Sequence, residues 1–462
     1  KAPVAAALED LARVEQRLGR LQHARNMYAE AADLYRDERS TWKLARALHL
    51  LAGVETRLEL PEAREHLTEA RELFRQENDQ LGLAMVFLGL GDFERKFGNG
   101  EAAEYYQQAA EHFRSERDNA GLAKALRGLA EVQRKQGRFD DACRNYEQTL
   151  DLFRSESDWL GLAGVLRGLA DVERKSKKID AAIEHYHDAA ELYRREDDSN
   201  GLAASLRDLA DMQARLGKVD QAQKHLEEAA TLYRDGANKL GLAGAQRSLG
   251  DLQRRLGKIA EARVSYNGSM ELYRLEGNNL GQANALQSLG DLEKRLGRLD
   301  EAQHRYQEAI QLFKSAKANL GLANTLKSLG DIEGQGGHVR VARDHYEQAL
   351  ELYRNEKNNL GQANVMQSLG DVERAGKNYK EANSHYSAAR ELYQIERNFT
   401  GLAYTCSELA RVSHATFDFG SSIEYLQEAV EAARQASLPS VVEYVDHVRH
   451  ELSGQRSSAA AT

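Results

Sequence analysis

The 40-residue stretch Gly281–Leu320 reads GQANALQSLGDLEKRLGRLDEAQHRYQEAIQLFKSAKANL and contains two amphipathic helical patterns. In the first, apolar residues recur at intervals of three and four, as on one face of a helix: Ala285, Leu286, Leu289, Leu292 and Leu296. The second pattern has the same spacing: Ala302, Tyr306, Ala309, Ile310 and Phe313. Gly297 separates the two, where a left-handed cap would end the first helix. We therefore predict two helices joined by a short turn.

The same pattern recurs along the whole chain. A glycine followed by Leu or Gln and then Ala returns every 40 residues at eight places: Gly121, Gly161, Gly201, Gly241, Gly281, Gly321, Gly361 and Gly401. Gly82, Lys43 and Pro3 hold the equivalent place upstream, where two intervals are 39 residues. We predict eleven units within residues 1–436. Each unit of a repeat array packs on its neighbours, so a chain of this length needs no single large core.

Composition excludes several classes of function. The net charge is −9, and an acidic chain is a poor ligand for the phosphates of nucleic acid. No apolar run is long enough to span a membrane. The two cysteines, Cys143 and Cys406, form neither a disulfide framework nor a zinc pattern. We expect a cytoplasmic protein that needs no metal and no cofactor.

The columns of small and large residues resemble the tetratricopeptide repeat signature. The string that carries the resemblance is Leu286, Leu289-Gly290, Ala302, Tyr306 and Ala309. The period exceeds the usual value of about 34 residues, and the usual proline after the second helix is absent. The unit is similar to the extended repeats of Partner-of-Inscuteable-like adaptors and of sensor arms in signalling NTPases. The resemblance implies an all-α fold, a right-handed superhelical solenoid of antiparallel helix pairs.

The C-terminal end differs from the repeats. Residues 437–452 are predicted to form a capping helix, because Ser440 and Glu443 make a capping box. The apolar stripe of this helix consists of Val441, Val445, Val448 and Leu452. Residues 453–462 have no apolar face to bury, and we expect them to be disordered.

The resemblance implies that a ligand binds along a concave groove lined by the first helix of each pair. One column in this groove is acidic: Asp92, Glu131, Asp171, Asp211, Asp251, Asp291, Asp331 and Asp371. A second column is basic in the fourth to seventh units: Arg127, Arg167, Arg207 and Arg247. The eighth to tenth units carry mainly amides: Asn284, Gln287, Asn324, Lys327, Asn364 and Gln367.

These columns suggest one extended peptide ligand. An amide offers a donor and an acceptor, as a peptide backbone requires, and the fork of arginine suits a carboxylate. We predict that the amide units hold the ligand's backbone and that the arginine units bind its acidic side chains. The alternative is that each arginine pairs with the acid four residues later in its own helix, such as Arg127 with Glu131.

A histidine recurs on five of the second helices: His66, His185, His225, His345 and His385. Neighbouring helices lie about 8–10 Å apart, too far for these residues to share one ion. We expect them to be packing groups in the place of tyrosine and predict no metal site. No nucleophile, base and acid stand together, so we predict no catalytic residues and no enzyme.

Two functions remain open. The leading hypothesis is a protein-protein interaction scaffold that binds a peptide or a partner domain in its groove. The alternative is the ligand-sensing arm of a larger signalling NTPase of the STAND or NLR type.

Overall fold

Helix follows helix along this chain, each ending at a short turn. The computed structural model describes residues 2–98 and 100–459. Within these ranges it contains 23 α-helices and no strand, which confirms the all-α prediction. The chain divides into two compact units, Lys1–Ala237 and Asn238–Thr462.

The first unit consists of twelve helices. They are α1 (Ala2–Arg17), α2 (Leu21–Asp37), α3 (Thr41–Arg57), α4 (Ala63–Gln76), α5 (Gln80–Phe97), α6 (Ala102–Ser115), α7 (Asn119–Lys135), α8 (Phe139–Ser155), α9 (Trp159–Lys175), α10 (Ile179–Arg195), α11 (Ser199–Arg215) and α12 (Val219–Asp235). Each odd-numbered helix packs against the helix that follows it.

The second unit continues the same pairing. Its helices are α13 (Lys239–Arg255), α14 (Ile259–Leu275), α15 (Asn279–Arg295), α16 (Leu299–Ser315), α17 (Asn319–Gln335), α18 (Val339–Asn355), α19 (Asn359–Ala375), α20 (Tyr379–Ile395), α21 (Phe399–Ala415), α22 (Phe419–Ala436) and α23 (Pro439–Ala459). The last of these packs on α21 and α22. Its predicted apolar stripe, from Val441 to Leu452, is buried.

Helix α23 differs from the prediction in its length. It continues to Ala459, seven residues into the segment 453–462 for which we predicted disorder. A helix that is already nucleated extends at little cost, even without an apolar face to bury. Residues 460–462 lie outside the described residues.

Both turns of the repeat contain a left-handed residue. Gly297 has φ of 73°, as its position after the first helix predicts. Its N–H donates to the Lys294 carbonyl, and the next N–H donates to the Glu293 carbonyl, each at 3.0 Å. These two bonds satisfy the last carbonyls of the helix. At the second turn the left-handed residue is usually not glycine, as in Lys317 with φ of 51°, so this cap could not be predicted from a glycine.

The glycine that recurs every 40 residues packs against an aromatic ring of the preceding helix. A Cβ atom on Gly361 would lie 2.3 Å from the Tyr353 ring. The N–H of Gly361 also donates to the Asn358 side chain at 2.7 Å, which caps the first helix. The ninth unit keeps the glycine but has Ala318 at the capping position, and α17 has no side-chain cap.

Candidate functional site

The acidic column first serves to hold each helix pair together. The Tyr306 hydroxyl donates to Asp291 Oδ1 at 2.6 Å. The same bond, from a tyrosine of the second helix to an acid of the first, recurs at Asp92, Asp171, Asp251, Asp331 and Asp371. One carboxylate oxygen at each of these positions is therefore occupied within the pair.

Lysines surround Asp331 but not Asp371. The ammonium groups of Lys294 and Lys327 lie 2.9 and 3.0 Å from Asp331 Oδ2. Burial works to raise the pKa of Asp331, but the two lysines outweigh it and leave this pKa below its usual value. At Asp371, burial raises the pKa to about 6, only partly opposed by the Tyr386 hydrogen bond.

The arginine column does not form the regular intrahelical pairs that the alternative prediction described. Arg247 lies 3.7 Å from Asp251, which is such a pair. Arg207 hydrogen-bonds the adjacent Asp208 at 2.9 Å.

Arg127 and Arg167 form no ion pair with any residue in the described part of the chain, so the pairing prediction was wrong for them. The acids expected to pair with them have other partners. Glu131 lies 3.4 Å from Arg95, and Asp171 lies 3.2 Å from Arg174.

The amide column forms a pocket in the second unit. This pocket has a volume of about 650 Å³ and lies across the first helices α15, α17 and α19. Seven of the predicted site residues line it: Gln287, Asn324, Lys327, Asp331, Asn364, Gln367 and Asp371. Tyr353, Ser328 and Ser368 complete the wall.

Tyrosines of the second helices orient the amides of this pocket. The Tyr353 hydroxyl donates to Asn324 Oδ1. The Tyr393 hydroxyl donates to Asn364 Oδ1 at 2.7 Å and reaches Gln367 Oε1 at 2.9 Å. These bonds occupy the carbonyl oxygens and leave the amide N–H groups of Asn324 and Asn364 without an acceptor among the described residues. The pocket thus presents oriented donors beside the acidic acceptors.

The four arginines and three more of the predicted residues lie outside this pocket. The Asn284 amide donates to the Leu280 carbonyl of its own helix at 2.9 Å and does not line the pocket. Asp251 and Asp291 also lie outside the pocket wall. Tyr353 and Tyr393 were not predicted as site residues, although tyrosine or phenylalanine recurs at their position in most of the repeats.

Three of the five histidines on the second helices hydrogen-bond a first helix and are not simple replacements of tyrosine, so that prediction was wrong for them. His225 Nδ1 lies 2.9 Å from Gln213 Oε1. His66 Nδ1 lies 2.7 Å from the buried carboxylate of Glu55, and His185 Nδ1 lies 2.7 Å from that of Glu173. The hydrogen bond that the His66 ring donates to the Glu55 carboxylate raises the pKa of His66. Across residues 2–98 and 100–459, no three His, Cys, Asp or Glu side chains are grouped as a metal site requires. None of the described helices has the length and apolar character that crossing a bilayer requires.

Comparison with protein families confirms the resemblance found in the sequence. A family model described as "Tetratricopeptide repeat" matches residues 82–155, 161–235, 241–315, 295–355 and 321–395. A second model with the same description matches residues 4–38. A model described as "Anaphase-promoting complex subunit 5" matches residues 378–456. No curated protein matches the chain.

Several solved structures share the fold. The apo form of RapI has a TM-score of 0.60 at 13% identity, over 76% of this chain and 98% of that chain. A Rap protein complexed with competence and sporulation factor has a TM-score of 0.53 at 16% identity, over 81% and 99%. A STAND protein with a tetratricopeptide repeat sensor, from Pyrococcus horikoshii, has a TM-score of 0.56 at 15% identity, over 94% and 74%. At these identities the similarity is one of fold.

Proposed function

This chain belongs to the tetratricopeptide repeat family, and on that premise we propose that it is a protein-interaction scaffold which holds an extended peptide of a partner protein in the amide pocket of its second unit. The observation that carries the proposal is the convergence of Gln287, Asn324, Asn364 and Gln367 on one polar pocket. Side chains that served only to solvate a helix surface would have no reason to be held in place by tyrosines of a second helix.

The chemistry of the pocket suits a peptide backbone. Each peptide group needs one acceptor for its N–H and one donor for its carbonyl. The amide nitrogens of Asn324 and Asn364 supply donors, and the carboxylates of Asp331 and Asp371 supply acceptors. Tyrosine hydrogen bonds hold the two asparagines in one orientation, which lowers the entropic cost of binding.

The equivalent residues also have a spacing that suits an extended chain. Successive first helices α15, α17 and α19 contact one another, and axes of packed helices lie about 8–10 Å apart. Three residues of an extended strand span about 10 Å, so a ligand that crosses the helices can present a backbone group to each helix at about every third residue. The pocket volume leaves room for a few residues of such a ligand.

The test starts from a ligand that the protein selects. Peptides of twelve random residues, displayed on phage, are selected on the whole chain, and the best binder is measured by calorimetry. We expect the double variant Asn324→Ala and Asn364→Ala to weaken binding at least tenfold, since two oriented donors are lost, each worth about 1 kcal/mol.

Asn284→Ala is the matched control. This residue belongs to the same column of the repeat, but its amide bonds the backbone of its own helix. We expect the selected peptide to bind this variant as it binds the parent protein. Equal affinity for the parent, the control and the double variant would place binding outside the amide pocket and refute the proposal.

A second candidate is the ligand-sensing arm of a larger signalling NTPase. The observation that favours it is the shared fold with the STAND protein, whose sensor is itself a tetratricopeptide repeat array and whose match covers 94% of this chain. A gene that encodes a phosphate-binding loop in the same reading frame would support this candidate. A gene without any NTPase domain would exclude it and leave the scaffold.

A further inference from the structure

A second cavity lies in the first unit and has a different character. Its volume is about 1020 Å³, and it lies across the first helices α3, α5 and α7. This size is at the upper end of the range of about 300–1,000 Å³ that is usual for small-molecule sites. Of the residues in the predicted groove columns, Asp92 and Arg127 line it.

The charge of this cavity is strongly positive. Six cationic side chains line it: Arg57, Arg95, Lys96, Lys124, Arg127 and Lys135. Arg95 pairs with Asp92, and Lys96 donates to the carbonyls of Thr56 and Arg57. The other four form no ion pair with any residue that the structure describes.

The two acids of the cavity are already engaged. Asp92 accepts a hydrogen bond from the Tyr106 hydroxyl at 2.7 Å. Asp118 caps α7 and accepts the Gly121 N–H at 2.9 Å. Four cations therefore face the cavity without a protein counter-charge, which favours an anionic ligand.

One face of the cavity is apolar. Its apolar lining consists of Leu67, Met85, Leu88 and Phe113. In the wall beside them, the Nδ1 atom of His49 is buried and has no hydrogen-bond partner. A buried polar atom without a partner is costly, so a ligand that bonds His49 would recover part of that cost. Burial also lowers the pKa of His49 to about 4, which leaves the ring neutral near pH 7.

Gly53 accounts for much of the charge imbalance. It holds the place of the acidic column in α3, equivalent to Asp92 in α5. A Cβ atom added to Gly53 would have no neighbour within 4 Å, so packing does not demand glycine here. The acid of the column is thus missing beside the four unpaired cations.

We propose that this cavity binds a small organic anion with an apolar body. The phosphate, sulfate or carboxylate group would lie among Arg57, Lys124, Arg127 and Lys135, and the apolar body would lie against Leu67, Met85, Leu88 and Phe113. The proposal does not depend on the peptide site of the second unit.

The probe is 1-naphthyl phosphate, titrated into the whole chain by calorimetry. Inorganic phosphate tests the anion alone, and 1-naphthol tests the ring alone. We expect 1-naphthyl phosphate to bind at least tenfold more tightly than either. Equal binding of 1-naphthol would show that the cations contribute nothing to binding. Equal binding of inorganic phosphate would show that the apolar wall contributes nothing. Either result would overturn the proposal.

Gly53→Asp is the decisive variant, because it restores the acid of the column where the side chain has open space. We expect this variant to bind 1-naphthyl phosphate at least tenfold more weakly than the parent, with unchanged helicity. Lys124→Gln with Arg127→Gln should weaken it as well, which keeps the test valid if Gly53→Asp unfolds. Lys380→Gln, an exposed lysine of α20 in the second unit, is the control and should bind as the parent does. Full affinity in both cavity variants would overturn the proposal.

An acidic peptide with a central phenylalanine tests the other class of ligand. If this peptide binds in a manner sensitive to Gly53→Asp while 1-naphthyl phosphate does not bind, the site is a peptide site and the small-anion proposal is wrong. The double variant Asn324→Ala and Asn364→Ala should leave 1-naphthyl phosphate binding unchanged, which separates this site from the amide pocket.

Discussion

The amide pocket of the second unit and the basic cavity of the first occupy the same positions of the repeat. In the column that carries Gln287, Lys327 and Gln367 in the pocket, the helices of the cavity carry His49, Leu88 and Arg127. In the acidic column, the helices of the pocket carry Asp291, Asp331 and Asp371, and those of the cavity carry Gly53, Asp92 and Glu131. The two sites nevertheless differ in charge. The lysines near the pocket are neutralised by Asp331, whereas four cations of the cavity have no such partner.

This difference shows that a repeat can keep its packing while the charge of its exposed surface changes. The leucine column, the small residues and the glycine that contacts an aromatic ring fix where each helix lies. The two columns on the first helices vary more than these positions, and a change at one position, such as glycine for aspartate, alters the charge of the surface. Variants in one unit can show whether its stability and its site depend on the other unit.

The largest effect should come from the buried leucine column. Leu289 in the second unit and Leu209 in the first are only 2% and 1% exposed. Replacing either with alanine should cost about 2–5 kcal/mol, since the methyl groups lost leave a cavity. Hydrogen exchange should show faster opening mainly in the unit that carries the change. If Leu289→Ala accelerated exchange equally in both units, the units would be one cooperative body and the comparison would fail.

Asp371→Asn should stabilise the second unit by about 2 kcal/mol at pH 7. Burial raises the folded-state pKa of Asp371 to about 6, above its unfolded value, so ionisation costs stability as the pH rises from about 4 to 6. The amide keeps an acceptor for the Tyr386 hydroxyl without the buried charge. The gain over the parent should therefore shrink at pH 5, measured by urea unfolding at the two pH values.

Asp331→Asn is the control for that comparison. Lys327 and Lys294 keep the pKa of Asp331 below its usual value, so its charge stabilises the fold above about pH 4. This variant should be less stable than the parent at pH 7. A gain from both variants would show that the lysines do not distinguish the two acids.

Adding the missing cap should have a smaller effect. Ala318→Asp places a carboxylate where α17 lacks a side-chain cap, and we expect about 1 kcal/mol of added stability in the second unit. Asp198→Ala removes such a cap from α11 in the first unit and should cost a similar amount. Urea unfolding of both variants measures the two changes; effects of the same sign would contradict the assignment of these caps.

The smallest expected effect is that of chelation. Prolonged treatment with EDTA should leave the melting temperature unchanged, because His66, His185 and His225 each pair with a single carboxylate or amide and no three possible ligands are grouped among the described residues. A clear drop, followed by recovery on adding back a divalent cation, would reveal a metal ion that stabilises one of the units.

The sequence predicted the helices better than it predicted the sites. The period and the leucine column placed both helices of each repeat, because a packing pattern copied many times is unambiguous. It also placed Asn324 and Asn364 on one face. It could not show that Asn284 would bond its own backbone, since a side-chain rotamer decides between two nearby acceptors.

Contacts between distant residues were the other limit. The bond from Tyr353 to Asn324 joins residues 29 positions apart, and no local pattern reports it. The basic cavity was missed for a related reason. The missing acid at Gly53 can be seen in the sequence column, but the lack of a partner for Arg127 appears only when neighbouring helices are assembled.

The contact between the recurring glycine and the ring before it has a consequence for how this gene can evolve. Gly321 packs against the ring of Phe313, and Gly361 packs against that of Tyr353, so the contact between one repeat and the next is the same at these two places. An in-frame duplication of the segment for residues 281–320 would place a new glycine after Phe313 and so create the same contact between repeats. Unequal recombination can therefore lengthen or shorten the array without creating a new kind of interface, and selection can then act on the polar columns of the first helices.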